Sequence, residues 1–192
     1  MSFFVFMKKS FGAKTILYPM PVFIIGTYND DGSPNAMNAA WGGIANENLI
    51  SICIDRSHKT AENVVKRKAF TVSIADADNI VSCDYVGIVS GNKVKDKVSK
   101  AGFHTSPSNK VDAPIIDELK LCLECELVSY DKDGSELLIG KIIDIQADES
   151  IVVDGKIDPS KLKPITYDPS NKRYLEIGKA VGNAFSDGKK IF

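Results

Sequence analysis

The strongest structural signal in the chain is the run Val22-Phe23-Ile24-Ile25-Gly26-Thr27-Tyr28, which is followed by the turn Asn29-Asp30-Asp31-Gly32-Ser33-Pro34. The run is rich in β-branched and aromatic residues, which favour strands. An Asp-Gly pair directly after such a run indicates a β-hairpin. The sequence therefore predicts a strand at residues 22–28 that turns back into a second strand at residues 35–41.

The rest of the chain is predicted to be mostly antiparallel strands with a few helices inserted. Strands are expected at residues 49–54, 70–74, 119–130, 136–145, 151–153, 164–167 and 173–178, and helices at residues 61–68, 78–89 and 95–101. The strands at 119–130 and 136–145, joined by Asp131-Lys132-Asp133-Gly134, are long and hydrophobic, which suits a barrel wall. Alternating βαβ units are absent, so we predict a mainly β fold, class β or α+β, built as a β-barrel.

Composition limits the class of protein. The 192 residues are 44% hydrophobic and 26% charged, without repeats or a linker, and we predict one domain over residues 1–192. The 24 basic and 25 acidic residues nearly balance, so we expect no nucleic acid and no membrane surface as a partner. No apolar run reaches the roughly 18–20 residues that cross a bilayer, and we predict a cytoplasmic protein.

Residues 1–7 are mostly apolar and precede Lys8 and Lys9. A secretory signal places positive charge before the apolar run, so this order does not fit one. We interpret the segment as an extended N-terminus, or as extra residues ahead of a natural start at Met7.

The cysteines, Cys53, Cys83, Cys122 and Cys125, are too few and too scattered for a disulfide scaffold. Cys122 and Cys125 form a CxxC, but alternating leucines around them indicate a half-buried strand. Residues three apart on a strand point to opposite faces, so these two thiols cannot coordinate the same metal ion. We predict that they pack in the core or at a sheet edge.

Familiar catalytic and nucleotide motifs are missing. There is no GxGxxG after a strand, no GxxxxGK[ST] and no HExxH, and the histidines are His58 and His104 alone. We therefore predict no metal site and name no catalytic side chain. A Ser-His-Asp hydrolase is not excluded by residue count, but no nucleophile-elbow motif is present.

The segment Asp55-Arg56-Ser57-His58-Lys59-Thr60 is a candidate anion cradle. It combines cationic groups, hydroxyls and the free N–H groups of a helix start, a combination that suits a phosphate. Alternatively, Ser57 or Thr60 only caps the helix and the basic groups are solvated. For His58 we favour phosphate binding or capping over proton transfer.

The segment Pro34-Asn35-Ala36-Met37-Asn38-Ala39-Ala40-Trp41-Gly42-Gly43 is a candidate cradle for a flat ring. Small side chains let a ring approach the backbone, whose polar groups can then bind its edge. The alternative is a tightly packed strand with a bulge at Gly42-Gly43.

Together, these two segments resemble the flavin reductase-like family of FMN-binding split-barrel proteins, and most closely its flavoredoxin-like branch. Members similarly show a Pro-Asn-(Ala/Gly)-Met-(Asn/Thr)-Ala-(Ala/Ser)-Trp run and, one strand later, an Arg-x-(Ser/His)-x-Thr run that opens a helix. The segments Tyr18-Pro19-Met20-Pro21-Val22, Ser90-Gly91, Asp96-Lys97, Gly102-Phe103 and Arg173-Tyr174-Leu175-Glu176-Ile177-Gly178 add to the likeness over roughly residues 8–178.

The resemblance implies an antiparallel Greek-key split β-barrel that binds FMN as a homodimer. It implies ring and ribityl contacts from Asn35, Met37, Asn38, Ala39, Ala40 and Trp41. It implies a phosphate site at Asp55, Arg56, Ser57, His58, Lys59, Thr60 and Asn63, and further contacts from Tyr85, Lys93 and Tyr174, the last of these from either subunit. The chain has Asn38 where many relatives have Thr.

The sequence is compatible with three functions. The first is an NAD(P)H:flavin oxidoreductase, and the second is a non-enzymatic flavoredoxin-type electron carrier that takes electrons from a redox partner protein. The third is a barrel that only binds a ligand or a protein. FMN itself carries hydride and one-electron chemistry, so the lack of a general-base pair does not oppose the first two.

Overall fold

The predicted N-terminal hairpin is present in the structure, a computed structural model that describes residues 7–131 and 134–191. Its strands pair antiparallel, with Ile25 opposite Met37. The turn is closed by the Asn29 N–H, which donates to the Ser33 carbonyl at 2.8 Å. Gly32 has a φ of +81° in this turn, a backbone conformation that favours glycine.

The elements that the sequence predicts occur in the predicted order, with further short elements between them. The strands are β1 (Phe23–Tyr28), β2 (Pro34–Ala39), β3 (Gly42–Asn46), β4 (Leu49–Cys53), β5 (Ala69–Ile74), β6 (Thr105–Pro107), β7 (Pro114–Ile116), β8 (Leu121–Tyr130), β9 (Leu137–Ala147), β10 (Val152–Val153), β11 (Lys156–Ile157), β12 (Ile165–Asp168) and β13 (Arg173–Glu176). The helices are α1 (Lys59–Arg67), α2 (Ile80–Ile88), α3 (Lys97–Lys100) and α4 (Pro159–Leu162), with 3₁₀ turns at Glu149–Ile151 and Asp187–Ile191.

Seven strands form one antiparallel sheet in the order β2-β1-β5-β8-β9-β4-β3. The two edge strands, β2 and β3, are joined by only two residues, Ala40 and Trp41. Strands at opposite edges can be linked so briefly only if the sheet curls until its edges approach each other. The sheet is therefore a curled barrel wall, which confirms the predicted fold class.

Some elements differ from the sequence prediction. The expected strand at 35–41 ends at Ala39, and the chain crosses to β3 instead of forming a bulge at Gly42-Gly43. A Cβ on Gly42 would lie 2.5 Å from the Ser51 carbonyl oxygen, so glycine lets β3 pack onto β4. The elements β3, β6, β7, β11 and α4 were not predicted. All of them except β3 have only two to four residues, which show no clear periodicity. Two predictions, an extended segment at 1–6 and the turn centred on 132–133, lie outside the described residues.

Two apolar cores form on the two faces of the sheet. Inside the barrel lie Ile25, Phe70 and Leu138, all fully buried, whereas Ile24 packs on the outer face in a cluster with the buried Val86 of α2. Both faces of β1 are therefore covered. Among the described residues, no helix is long and apolar enough to cross a membrane.

The two cysteines of the CxxC are free and buried on β8. Cys125 belongs to the barrel interior, and burial raises the pKa of its thiol to about 12. Cys122 points to the other face, and burial raises the pKa of its thiol to about 11. The prediction of core or edge packing is confirmed, with both residues in the core.

Candidate functional site

The two segments singled out in the sequence meet at one cavity of about 210 Å³. Its lining comes from β2, from the start of α1, from the end of α2 with the following loop, and from α3: Asn35, Met37, His58, Lys59, Thr60, residues 86–91 and Lys97. The ring-binding and anion-binding candidates thus share one cavity.

Local hydrogen bonds shape the loop that begins α1. The Asp55 carboxylate accepts from the Ser57 N–H at 2.7 Å, and the Asp55 carbonyl accepts from the His58 N–H at 3.1 Å. The first of these bonds holds the pKa of Asp55 below its usual value. The N–H groups of Lys59, Thr60 and the next residue then open the helix without partners inside it, as at every helix start. Asp55 therefore shapes the turn of the candidate anion cradle, and its carboxylate is not itself suited to bind an anion.

A buried polar network connects β2 to the first turn of α1. The side-chain amide of Asn35, which is 2% exposed, donates to the Thr60 hydroxyl oxygen at 2.8 Å and to the Thr27 hydroxyl oxygen at 3.2 Å. The amide of Asn63 donates to the same Thr27 oxygen at 3.1 Å and to the Asn29 side-chain oxygen at 2.9 Å. The Thr60 hydroxyl, which accepts from Asn35, keeps its own hydrogen for a ligand in the cavity.

Glycine allows the loop after α2 to approach this network. A Cβ on Gly91 would overlap the side-chain oxygen of Asn35 and lie 3.3 Å from the Lys59 Cβ. The next residue, Asn92, donates its side-chain amide to the Ser57 carbonyl at 3.0 Å. The loop is thus fixed at both β2 and the candidate anion cradle, and it closes one side of the cavity.

Lys97 also lines the cavity, although its sequence context did not predict a site residue. Its side chain is almost fully buried, and its ammonium group donates to the carbonyls of Val86 at 3.1 Å and Val89 at 2.8 Å. Burial lowers the pKa of Lys97 to about 8. Periodicity could not find it, because a lysine beside other lysines is normally solvated. The one available signal was its place in the Asp96-Lys97 pair quoted for the family resemblance.

A second pocket of about 390 Å³ borders the first one at Gly87 and Ile88, which line both. Asn38 contributes from β2, and its amide donates to the Cys83 carbonyl at 3.2 Å. The Tyr174 hydroxyl donates to the Asp84 carboxylate at 2.7 Å. Burial and this carboxylate raise the pKa of Tyr174, so the phenol stays protonated at neutral pH.

Comparison with known protein families matches residues 15–175 to the flavin reductase like domain. The chain belongs to the flavin reductase-like family. This confirms the family that the two sequence segments resemble.

Solved structures of the flavin reductase-like family are similar over nearly the whole chain. The flavoredoxin of Desulfovibrio vulgaris (Miyazaki F) is 36% identical with a TM-score of 0.91, over 95% of this chain and 100% of that one. The flavoredoxin from Methanosarcina acetivorans is 27% identical with a TM-score of 0.85, over 98% and 100%. An FMN-binding domain of a flavin reductases-like enzyme from Shewanella baltica OS155 shares the fold at 19% identity, with a TM-score of 0.76 over 85% and 88%. These neighbours confirm the split-barrel fold and the flavoredoxin branch.

The remaining residues that the flavin reductase-like resemblance selected are distributed around the barrel. On β2, Ala39 packs in the barrel core, because alternate strand residues face opposite sides. Ala40 lines the second pocket and also, with the half-exposed Trp41, a cleft of about 460 Å³ under residues 14–21. Trp41 also lines a fourth pocket, of about 790 Å³, so the 35–41 segment is shared among four pockets.

Besides Asp55, five other family candidates lie outside the lining of the first cavity: Arg56, Ser57, Asn63, Tyr85 and Lys93. Arg56 stacks on the Tyr130 ring at 4.0 Å from its centroid and donates to the carbonyls of Tyr130 and Asp131. Lys93 is exposed, Tyr85 packs against the outer core, and Asn63 is buried in the network below α1. In this structure Arg56 holds the candidate anion cradle to the β8–β9 hairpin. Tyr174 belongs to the second pocket of the same chain.

Proposed function

We propose that this chain is an FMN-binding flavoprotein that transfers hydride or electrons. The phosphate would be held at the start of α1 by Ser57, His58, Lys59 and Thr60, with Arg56 as a further candidate. The ring would lie along β2 near Met37, Asn38 and Ala40. FMN, when bound, supplies hydride and one-electron chemistry through its ring.

One observation carries this proposal: a segment rich in small residues and amides and a helix start with basic groups line the same cavity. The titratable groups that line it, His58, Lys59 and Lys97, are all basic, and the described lining contains no carboxylate. An anionic end next to a flat group is the chemistry of a flavin phosphate. The residues present therefore fit FMN.

The residues of the second pocket supply orientation and hydrogen bonding. The Asn38 amide is fixed by the Cys83 carbonyl, which leaves its side-chain oxygen as an acceptor for a polar ring edge. Tyr174 holds its proton on the hydroxyl oxygen, toward Asp84. These groups favour one orientation of a planar ligand, and they require no general-base pair.

The electron donor separates two candidate functions. We propose an NAD(P)H:flavin oxidoreductase, in the cytoplasm and as a homodimer. The alternative, a flavoredoxin-type carrier that is reduced by a partner protein, is favoured by 36% identity to a flavoredoxin across both chains.

Two measurements test these functions in order. The purified protein should be yellow and release FMN on denaturation; a colourless protein that fails to bind added FMN would contradict the flavoprotein proposal. Anaerobic mixing with NADH or NADPH should then bleach the flavin promptly. Inertness to both, with reduction by dithionite intact, would support the carrier.

Substitutions test the phosphate site. Arg56→Ala together with Thr60→Ala should weaken FMN binding markedly. Thr60→Ala alone measures the contribution of the hydroxyl in the cavity, and Arg56→Ala alone measures that of the contact with the β8–β9 hairpin. Unchanged affinity in the folded double variant would show that the phosphate binds elsewhere. Lys161→Ala, in α4, serves as a control that removes a basic group outside the cavity lining.

A further inference from the structure

Lys97 is a buried cation without an acidic partner. It is 3% exposed, and two backbone carbonyls, from Val86 and Val89, accept two of the three hydrogens of its ammonium group. The neighbouring acidic residue, Asp96, pairs with Lys100 at 3.0 Å instead. A buried charge is costly unless it is paired, so this ammonium group is suited to an anion supplied from outside the chain.

On every element that lines the cavity, the groups near Lys97 are compatible with a bound anion. The start of α1 contributes His58 and Lys59, and its free N–H groups carry the positive end of the helix dipole. β2 contributes Asn35 and Met37, and residues 86–91 contribute no titratable side chain. Lys59 forms an ion pair with the half-exposed Glu62 at 3.0 Å. Of the two lysines that line the cavity, Lys97 is therefore the one that is buried without an acidic partner.

We propose that Lys97 is a direct ligand of the phosphate group bound in this cavity, and that this contact makes phosphate binding depend on pH. The inference rests on the proposed FMN function and deepens it, because it places the phosphate between two elements, α1 and α3. The third hydrogen of the ammonium group is the donor to the phosphate.

Protonation links binding to pH. Burial lowers the pKa of Lys97 to about 8 in the free protein, so this side chain loses its charge in mildly alkaline solution. A phosphate monoester is a dianion across that range, since its second pKa is about 6. A bound dianion stabilises the ammonium form, so binding above pH 8 takes up a proton and weakens as the pH rises.

Riboflavin is the matched ligand, because it has the ring and ribityl chain of FMN without the phosphate. The experiment compares dissociation constants for FMN and riboflavin in the wild type, in Lys97→Met and in Lys100→Met, which removes an exposed lysine of the same helix. In Lys97→Met, FMN should bind roughly 10- to 100-fold more weakly, the effect of losing a charged hydrogen bond. Riboflavin should change by less than about twofold, and Lys100→Met should alter neither ligand.

A pH series on the wild type needs no substitution, so it tests the proposal even if Lys97→Met fails to fold. From pH 7 to 9.5, FMN should lose at least about fivefold more affinity than riboflavin. Because riboflavin has the same ring as FMN, the change in its affinity corrects for ionisation of the ring. In folded Lys97→Met the difference should vanish, which assigns it to Lys97 and not to His58 or Lys59.

The outcomes separate the two proposals. If wild-type protein binds FMN but Lys97→Met binds it equally well, the role of Lys97 is wrong and the flavoprotein proposal stands. If Lys97→Met weakens FMN and riboflavin equally, Lys97 only supports the cavity wall, and the direct contact is wrong. If the wild type binds neither ligand, the proposed function itself fails.

Discussion

Removal of the Lys97 charge should change how the stability of the ligand-free protein depends on pH. The pKa of Lys97 is lowered by burial from 10.5 to about 8. Below pH 8 the amine is protonated in both folded and unfolded chains, and the folded state carries the whole cost of burying the charge. Between these two pKa values the folded state loses its proton first, so unfolding takes up a proton and the stability rises with pH.

The size of the effect follows from the two pKa values. Proton linkage gives a gain of about 2 kcal/mol in the free energy of unfolding between pH 7 and pH 9.5 from this residue alone. Lys97→Met cannot show this gain. At pH 7 the variant escapes the cost of the buried charge but leaves the Val86 and Val89 carbonyls without donors, two effects that oppose each other.

Urea unfolding at the two pH values measures this difference. The free energies of wild type, Lys97→Met and Lys100→Met are compared, so that the titration of all other groups cancels. The wild type should gain about 2 kcal/mol relative to Lys97→Met as the pH rises, and Lys100→Met should follow the wild type. A wild-type-minus-Lys97→Met difference that stays constant within about 0.5 kcal/mol would refute the buried position of the ammonium group.

Three further substitutions test packing around the sites. Gly91→Ala should displace the Asn35 side chain from its hydroxyl partners and weaken FMN binding several-fold, as measured by flavin fluorescence titration. Gly140→Ala should destabilise the protein by about 1–3 kcal/mol in urea, because the new methyl lies 2.8 Å from a ring carbon of the buried Phe70. Tyr174→Phe should cost about 1 kcal/mol through the lost carboxylate hydrogen bond, and an unchanged unfolding midpoint would contradict that bond.

Local sequence patterns predicted most of the fold because the residues within each segment largely determine its secondary structure. The apolar run before Asp31-Gly32 fixed β1 and its turn, and the leucines around Cys122 and Cys125 fixed β8. The division of the 35–41 segment into β2 and a crossing was not predictable in the same way. It depends on the pairing of β3 with β4. Small residues such as Gly42 permit this pairing, but the residue types alone do not predict it.

The candidate site shows the same division between local and long-range information. The start of α1 was recognisable from residue types alone, and the structure brings it to β2. The position of Arg56 depends on the β8–β9 hairpin, whose Tyr130 lies 74 residues further along the chain. Lys97 was missed for a related reason: only packing against α2 turns an ordinary surface lysine into a buried one.

The two-residue link between the edge strands also gives the protein an optical reporter. Trp41 is the one tryptophan of the sequence, and it lies in this link with 53% of its surface exposed. The wavelength of its fluorescence emission maximum depends on solvent contact, so this maximum should shift when the edges of the barrel separate. Flavin absorption overlaps tryptophan emission, so a flavin held at β2 would quench the same signal by energy transfer. If FMN binds as proposed, its release and the unfolding of the barrel can therefore be followed in a single unlabelled sample.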